Sequence, residues 1–274
     1  MNETLDSEKI FSHLTALTRE SISLDSIEVF AELESTQSYL RSARLAEGMS
    51  IVVAESQLSG KGRMNRSWHS SAAENIMFSC SWCYEQAPED LPALSLALIV
   101  SLAEYIKTTY DVNITIKWPN DLLLNDKKLA GLLLNVETGK QCKVIAGLGL
   151  NIKQSFNGDT INQPWADLSQ YGICNIDRNK MIAEIVSLWT KVFIEYPQTG
   201  FVNFQTRWNN LAHFRNKPVV VYQRQTNKNQ IDGDAKKMFG IFLGVNSKGY
   251  LLLDDNGKIH SISDSSFSLR PIET

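Results

Sequence analysis

Lys117-Trp118-Pro119-Asn120-Asp121-Leu122-Leu123-Leu124-Asn125-Asp126-Lys127-Lys128-Leu129-Ala130-Gly131 is the stretch whose reading decides the fold. Pro119 cannot donate to a β ladder, so it interrupts an extended run and turns the chain. The apolar residues around it read as strands over 113–118 and 122–124. Asn125-Asp126 suits a tight hairpin into a third strand over 128–136. Asn120 and Asp121 then sit at a strand end and present oxygens. Lys128 presents a cation from the return strand.

A second informative stretch lies upstream. Gly60-Lys61-Gly62-Arg63-Met64-Asn65-Arg66-Ser67-Trp68 carries three cations within nine residues. Glycine lets backbone N–H groups approach an anion closely, and arginine matches phosphate or carboxylate oxygens with paired donors. Gly147-Leu148-Gly149-Leu150-Asn151 ends a further strand with two glycines, as where backbone passes close to a ligand.

Working outward, residues 6–20 read as one amphipathic helix with Ile10, Phe11, Leu14 and Leu17 on its apolar face. Residues 27–33 read as a strand, and Ser35-Thr36 as a helix N-cap leading into 37–46. Strands follow at 49–54 and 76–82, with a long helix over 92–107 that starts at Pro92. Another strand spans 143–148. Residues 151–167 read as a long polar loop and 178–196 as an amphipathic helix. After His213 the chain changes to short strands at 218–222, 238–245, 250–254 and 259–262. Ser247-Lys248-Gly249 and Asn256-Gly257 mark turns.

The chain has 274 residues, 43% of them hydrophobic and 21% charged, with a net charge of −3. That is an ordinary globular composition, and it argues against a broad nucleic-acid-binding surface. No apolar run reaches the roughly 18 residues of a membrane span, and the N-terminus lacks a signal-peptide pattern. A cytoplasmic protein is therefore expected. Cys80-Ser81-Trp82-Cys83 is not read as a metal or redox pair, because residues three apart on a strand face opposite ways.

In their order and spacing the motifs resemble those of biotin–protein ligases. The matching stretches are Ser35-Thr36, the run from Gln57 through the Gly60–Trp68 loop, Lys117–Asp121, Lys128–Gly131, Gly147–Asn151, Arg207-Trp208 and Ser268-Leu269-Arg270. The resemblance runs from about residue 28 to the C-terminus. Lys61 stands where the family usually has arginine, Asn65 where it has glycine, and Gln37 where it has asparagine.

The resemblance implies an α+β fold. Its catalytic domain, residues 1–213, would be a mixed sheet flanked by helices, like that of class II aminoacyl-tRNA synthetases. Residues 214–274 would form an SH3-like β-barrel. It implies ATP, Mg²⁺ and biotin as substrates and metal, with biotinyl-5′-AMP as intermediate and a biotin carboxyl carrier protein as acceptor. Lys128 and Arg63 would be catalytic. Ser35, Thr36, Gln37, Gln57, Gly60, Lys61, Gly62, Trp68 and Gly149 would join them around biotin. Arg66, Asn120, Asp121, Asn151 and Trp165 would complete the adenylate site, with Asp121 facing Mg²⁺. The short N-terminus suggests the monofunctional group, without DNA binding, as a monomer or homodimer. A lipoate or octanoate ligase and a biotin-sensing regulator are the alternatives.

Overall fold

The structure, a computed structural model, describes residues 4–42, 48–68, 74–154, 164–223, 237–263 and 266–272. Two short helices open it, α1 (Ser7–His13) and α2 (Ala16–Glu20). The single helix expected over 6–20 is broken because Leu14 and Thr15 are extended, and Thr15 caps α2 by accepting from the Thr18 N–H. Serine and threonine are good N-caps because their oxygen satisfies an otherwise unpaired helix donor. Asp6 caps α1 in the same way.

β1 (Ile27–Leu33) leads into α3 (Thr36–Ser42), then β2 (Ser50–Gln57) and β3 (Ile76–Tyr84). The expected end of α3, at 43–46, lies outside the described residues. A 3-10 turn at Leu91–Ala93 holds Pro92 and opens α4 (Leu94–Tyr110). The strands β4 (Ile114–Lys117), β5 (Asp121–Leu124), β6 (Lys127–Thr138) and β7 (Cys142–Leu150) follow. The Trp118–Pro119 bond between β4 and β5 is cis. Asn125 and Asp126 both take positive φ in the next turn, as a two-residue hairpin requires.

α5 (Arg178–Thr199) and α6 (Val202–Leu211) precede β8 (Pro218–Gln223), β9 (Lys237–Val245), β10 (Leu251–Asp255), β11 (Lys258–Ile262) and β12 (Phe267–Pro271). Sequence reading missed α6 and β12. Phe204 and Trp208, four apart on α6, are its two buried residues, and Phe267 and Leu269 alternate inward on β12.

β1 to β7 form one mixed sheet in the order β1-β2-β3-β7-β6-β5-β4, with β1–β2 the parallel pair. The remaining strands form an antiparallel sheet, β11-β10-β9-β8-β12. This is the mixed sheet flanked by helices, plus a C-terminal all-β unit, that the motifs imply. α4, α5 and the two N-terminal helices cover one face of the first sheet, where Phe78 meets Trp189 and Trp82 stacks on Phe193. On the opposite face, α3 puts Leu40 against Val52 and Ile145. The rest of that face carries the site. The second sheet is held by the β4–β5 turn, where Trp118 Nε1 donates to the Gly249 carbonyl, and by α6, where Asn209 Nδ2 donates to that of Val245.

The 20-residue stretch from Leu91 to Tyr110 is long and apolar enough to cross a membrane, but 67% of it is buried inside the fold, as in a core helix. Cys80 is fully buried and Cys83 partly exposed, so the two do face apart, and all four cysteines are free thiols.

An ion pair ties the N-terminal segment and α5 to β2. Arg178, 3% exposed, donates from Nη1 to Glu55 Oε2 (2.6 Å) and from Nη2 to Oε1 (3.1 Å). The Leu5 N–H also donates to Glu55 Oε1. Removing one partner of a buried pair leaves an uncompensated charge. Arg178→Ala is therefore expected to lower stability by about 3–5 kcal/mol in urea denaturation. A loss below about 1 kcal/mol would mean that the pair is effectively solvated.

Candidate active site

The site begins with a bulge. β5 and β6 pair as Asp121↔Gly131 and Leu122↔Ala130, but the next pair is Leu123↔Lys128, so Leu129 is the extra residue. In a regular ladder Leu129 would oppose Leu123, and Lys128 would point to the helix-covered core. The bulge restores Leu129 to the core, where it is fully buried, and turns Lys128 to the face that carries Asp121. Lys128 Nζ then meets Asp121 Oδ1 at 2.7 Å, with side-chain exposures of 15% and 20%. The Lys128 backbone, turned away from β5 by the bulge, finds other partners: its N–H donates to the Pro164 carbonyl and its carbonyl accepts from the Ala166 N–H. The Asn151 N–H, donating to the Leu129 carbonyl, continues the β6–β7 ladder.

Gly131 and Gly149 are direct partners across β6 and β7. Together they leave a flat floor on which the Trp68 indole lies. A β-carbon at Gly149 would overlap the indole, and one at Gly131 would lie 3.1 Å from Trp68 Cζ3. Lys128 Nζ sits 5.3 Å from the centre of the Trp68 ring, in cation–π range. Trp68 Nε1 is buried and has no hydrogen-bond partner among the described residues.

The basic loop is a narrow hairpin. Lys61 bridges to Ser67, Trp68 N–H donates to the Gly60 carbonyl, and Gly62 N–H to that of Arg66. Arg63 reaches across to Asn120, its Nη1 donating to Oδ1 at 3.1 Å. Asn120 is itself fixed by donating to the Leu132 carbonyl. Arg66 and Lys61 are exposed beside this contact.

At the other end, under α3, lies a recess of buried polar groups. The Thr36 N–H and hydroxyl both donate to Gln57 Oε1, at 2.8 and 3.2 Å. Thr36 Oγ1 also lies 2.8 Å from Ser79 Oγ. Ser35 Oγ accepts from the Ser38 N–H and so caps α3. Gln37 spends both amide donor directions on the Leu133 and Ile145 carbonyls, and its Oε1 lies over Gly147. The longer side chain thus reaches the sheet backbone. Ser79 escaped the sequence reading, although the alternation of Met77, Ser79 and Ser81 with the core residues Ile76, Phe78 and Cys80 was a usable signal.

The structure brings Lys128, Arg63, Trp68, Gly149, Asn120 and Asp121 together at the centre, with Thr36, Gln37 and Gln57 at one end. Asn151 and Trp165 flank the bulge, Trp165 through a short bridge to Lys128. Most of the expected loop around them, 155–163, lies outside the described residues. Asp121 was expected to face Mg²⁺, but its carboxylate is engaged by Lys128. Among the described residues no group of three or more His, Cys, Asp or Glu side chains could hold a metal. Magnesium is commonly held by one or two carboxylates together with substrate phosphates, and Asp121 would be the protein carboxylate of such a set.

Burial alone would raise the Asp121 carboxyl. Lys128 by charge and hydrogen bond, then Lys117 and Arg66 by charge, together hold it below the ordinary carboxylate range. A lowered carboxyl pKa stabilises the fold at neutral pH, and that contribution is lost only as pH falls through the lowered value.

The sequence matches the biotin/lipoate A/B protein ligase family over residues 29–151. The Bifunctional ligase/repressor BirA of Escherichia coli is 34% identical over 90% of this chain and 75% of its own length. The chain belongs to this family. The Biotin--[acetyl-CoA-carboxylase] ligase of Mycobacterium tuberculosis is 27% identical over 86% of both chains. The solved biotin protein ligase from Aquifex aeolicus, in complex with biotin and ATP, shares the fold with a TM-score of 0.76. It is 24% identical, over 90% of this chain and 99% of its own.

The indole's dependence on Gly149 can be measured. Gly149→Ala must displace Trp68, and overpacking of this kind costs about 1–3 kcal/mol in urea denaturation. In a Trp68→Ala background the same substitution is expected to cost much less. An equal cost in both backgrounds would show that the indole does not rest on Gly149.

Proposed function

We propose that this chain is an ATP-dependent biotin–protein ligase. It joins biotin and ATP into biotinyl-5′-AMP, then passes biotin to a lysine of a biotin carboxyl carrier protein. The observation that carries the reading is Lys128, fixed against Asp121 between a recess of buried hydroxyl and amide groups and a cationic hairpin. The biotin carboxylate and the α-phosphate are both anions, so their meeting needs a cation that is already oriented. Lys128 occupies that place.

In the first step a carboxylate oxygen bonds to the α-phosphorus, and the bond to the bridging oxygen breaks to release pyrophosphate. Lys128 and Arg63 stabilise the charge that accumulates on the phosphoryl oxygens. Arg66 and Lys61, exposed at the hairpin, draw on the departing pyrophosphate. In the second step the acceptor amine attacks the anhydride carbonyl. The amide forms, the amine loses a proton, and AMP leaves. Thr36, Gln57 and Ser79 suit the ureido head, since a buried polar group without a partner costs a few kcal/mol. Trp68 offers an apolar ring face to the rings of biotin. Asn151 and Trp165 flank the adenylate.

The family also includes lipoate ligases. The polar recess at Thr36, Gln57 and Ser79 favours biotin over an acyl chain whose far end carries no hydrogen-bonding groups. Dependence on ATP and four free cysteines both point to the cytoplasm. A net charge of −3 supports a protein acceptor rather than nucleic acid. Residues 1–213 would carry the chemistry, with 214–274 as the appended barrel.

The test is to incubate the protein with ATP, Mg²⁺, labelled biotin and a purified carrier domain, with labelled lipoate as the competing substrate. Label on the carrier from biotin alone is expected, and label only from lipoate would overturn the reading. Lys128→Ala is expected to slow pyrophosphate release by about 10²–10³-fold with the fold intact. Release at the wild-type rate would remove Lys128 from the mechanism.

A further inference from the structure

Asn75, at the start of β3 and 1% exposed, has no place in the chemistry described above. Its carboxamide nevertheless ties the start of β3 to residues 152–154. Oδ1 accepts from the Ile152 N–H (2.8 Å) and the Lys153 N–H (3.3 Å), and Nδ2 donates to Gln154 Oε1 (3.2 Å). Its backbone carbonyl accepts from Arg178 Nη1, which ties it to the buried pair with Glu55.

The chain of contacts continues to the reacting centre. Gln154 Nε2 donates to Asn151 Oδ1 at 2.9 Å, and Asn151 Nδ2 donates to the Ala166 carbonyl at 3.0 Å. The Ala166 N–H donates to the Lys128 carbonyl at 2.9 Å, and the Asn151 N–H to that of Leu129. Residues 164–166 thus supply the partners of the Lys128 backbone at the bulge, residues 151–154 hold them through Asn151, and Asn75 anchors residues 152–154. An aliphatic side chain of the same size would leave the Ile152 N–H without this partner, and a lost buried partner is costly.

We propose that Asn75 is a positioning residue for Lys128: its carboxamide fixes residues 151–154, and through them the bulge that aims the ammonium. The inference rests on the ligase reading above. None of these hydrogen bonds involves Thr36, Gln57 or Ser79 under α3, so the effect is expected on turnover rather than on biotin affinity.

Biotin- and ATP-dependent pyrophosphate exchange, normalised to titrated active sites, measures it in the full-length protein. Asn75→Ala is expected to lower kcat by about tenfold or more, since a small misplacement of a catalytic group is costly, with KM for biotin unchanged. Asn75→Asp keeps the acceptor oxygen and is expected to recover most of the rate. Asn75→Ser, which lacks the reach of the carboxamide, is read the same way should the alanine variant not fold. The deciding comparison is in a Lys128→Ala background. If Asn75 acts through Lys128, adding Asn75→Ala there slows the reaction no further. A wild-type kcat in Asn75→Ala, or a full multiplicative loss in the double variant, overturns the proposal while leaving the ligase reading intact. A wild-type protein that forms no biotinyl adenylate overturns that reading, and the positioning role with it.

Discussion

The register shift between β5 and β6 is the constraint on which the site depends. Side chains on a strand alternate with period two, so one extra residue reverses the facing of everything beyond it. Without Leu129 as the extra residue, a leucine would lie beside Asp121 and a lysine would enter the core. Burying an unpaired ammonium there is far more costly than forming the bulge. Hydrophobic burial of Leu129 and ion pairing of Lys128 therefore select the same backbone. The bulge is stable because the Lys128 N–H and C=O that it turns away from β5 are taken up by Pro164 and Ala166, in line with the general rule that buried backbone groups are paired.

The second constraint is charge. Lys117, Lys128 and Arg66 all act on Asp121, and Arg63 is held nearby by Asn120. Such a concentration of cations repels itself, and the Asp121 carboxylate set among them offsets part of that repulsion. The glycine floor has a related purpose. Gly131 and Gly149 remove the side chains that would lift Trp68 off the sheet, so the indole and the ammonium share one shallow surface. A strand loses some stability for each interior glycine, and the close approach of the ring is what it gains.

Much of this was legible in the sequence because it rests on local signals. Pro119, the Asn125-Asp126 turn and the 128–136 run place β4, β5 and β6 within a few residues of their observed positions. The cations of the hairpin were visible as composition. What was hidden depends on tertiary contact. The break between α1 and α2 follows from Thr15, whose capping role competes with continued helix and is supported by its N–H contact to Ser187 on α5. The bulge could not be read, because Lys127-Lys128-Leu129 fits either register until Asp121 is known to be opposite. α6 was missed since it shows only two core residues, four apart. Asn75 gave no signal, because its partners lie about 80 residues downstream.

The ion pair between Lys128 and Asp121 sets up a competition with catalysis, since a lysine satisfied by a carboxylate has less to offer a substrate. The geometry of the ammonium answers this. It carries three donors, and Asp121 takes one of them at 2.7 Å. The Trp68 face lies over another side at 5.3 Å, a contact that restrains the group without consuming a donor. In the proposed ligase reaction, the remaining donors would serve a carboxylate oxygen and a phosphoryl oxygen. Asp121 thus sets the direction of the ammonium before reaction, when solvent would otherwise reorient it, and so removes a reorganisation cost from the barrier. An isolated lysine at this position would have the same charge with a freely rotating head, and only the aimed one is complementary to the transition state.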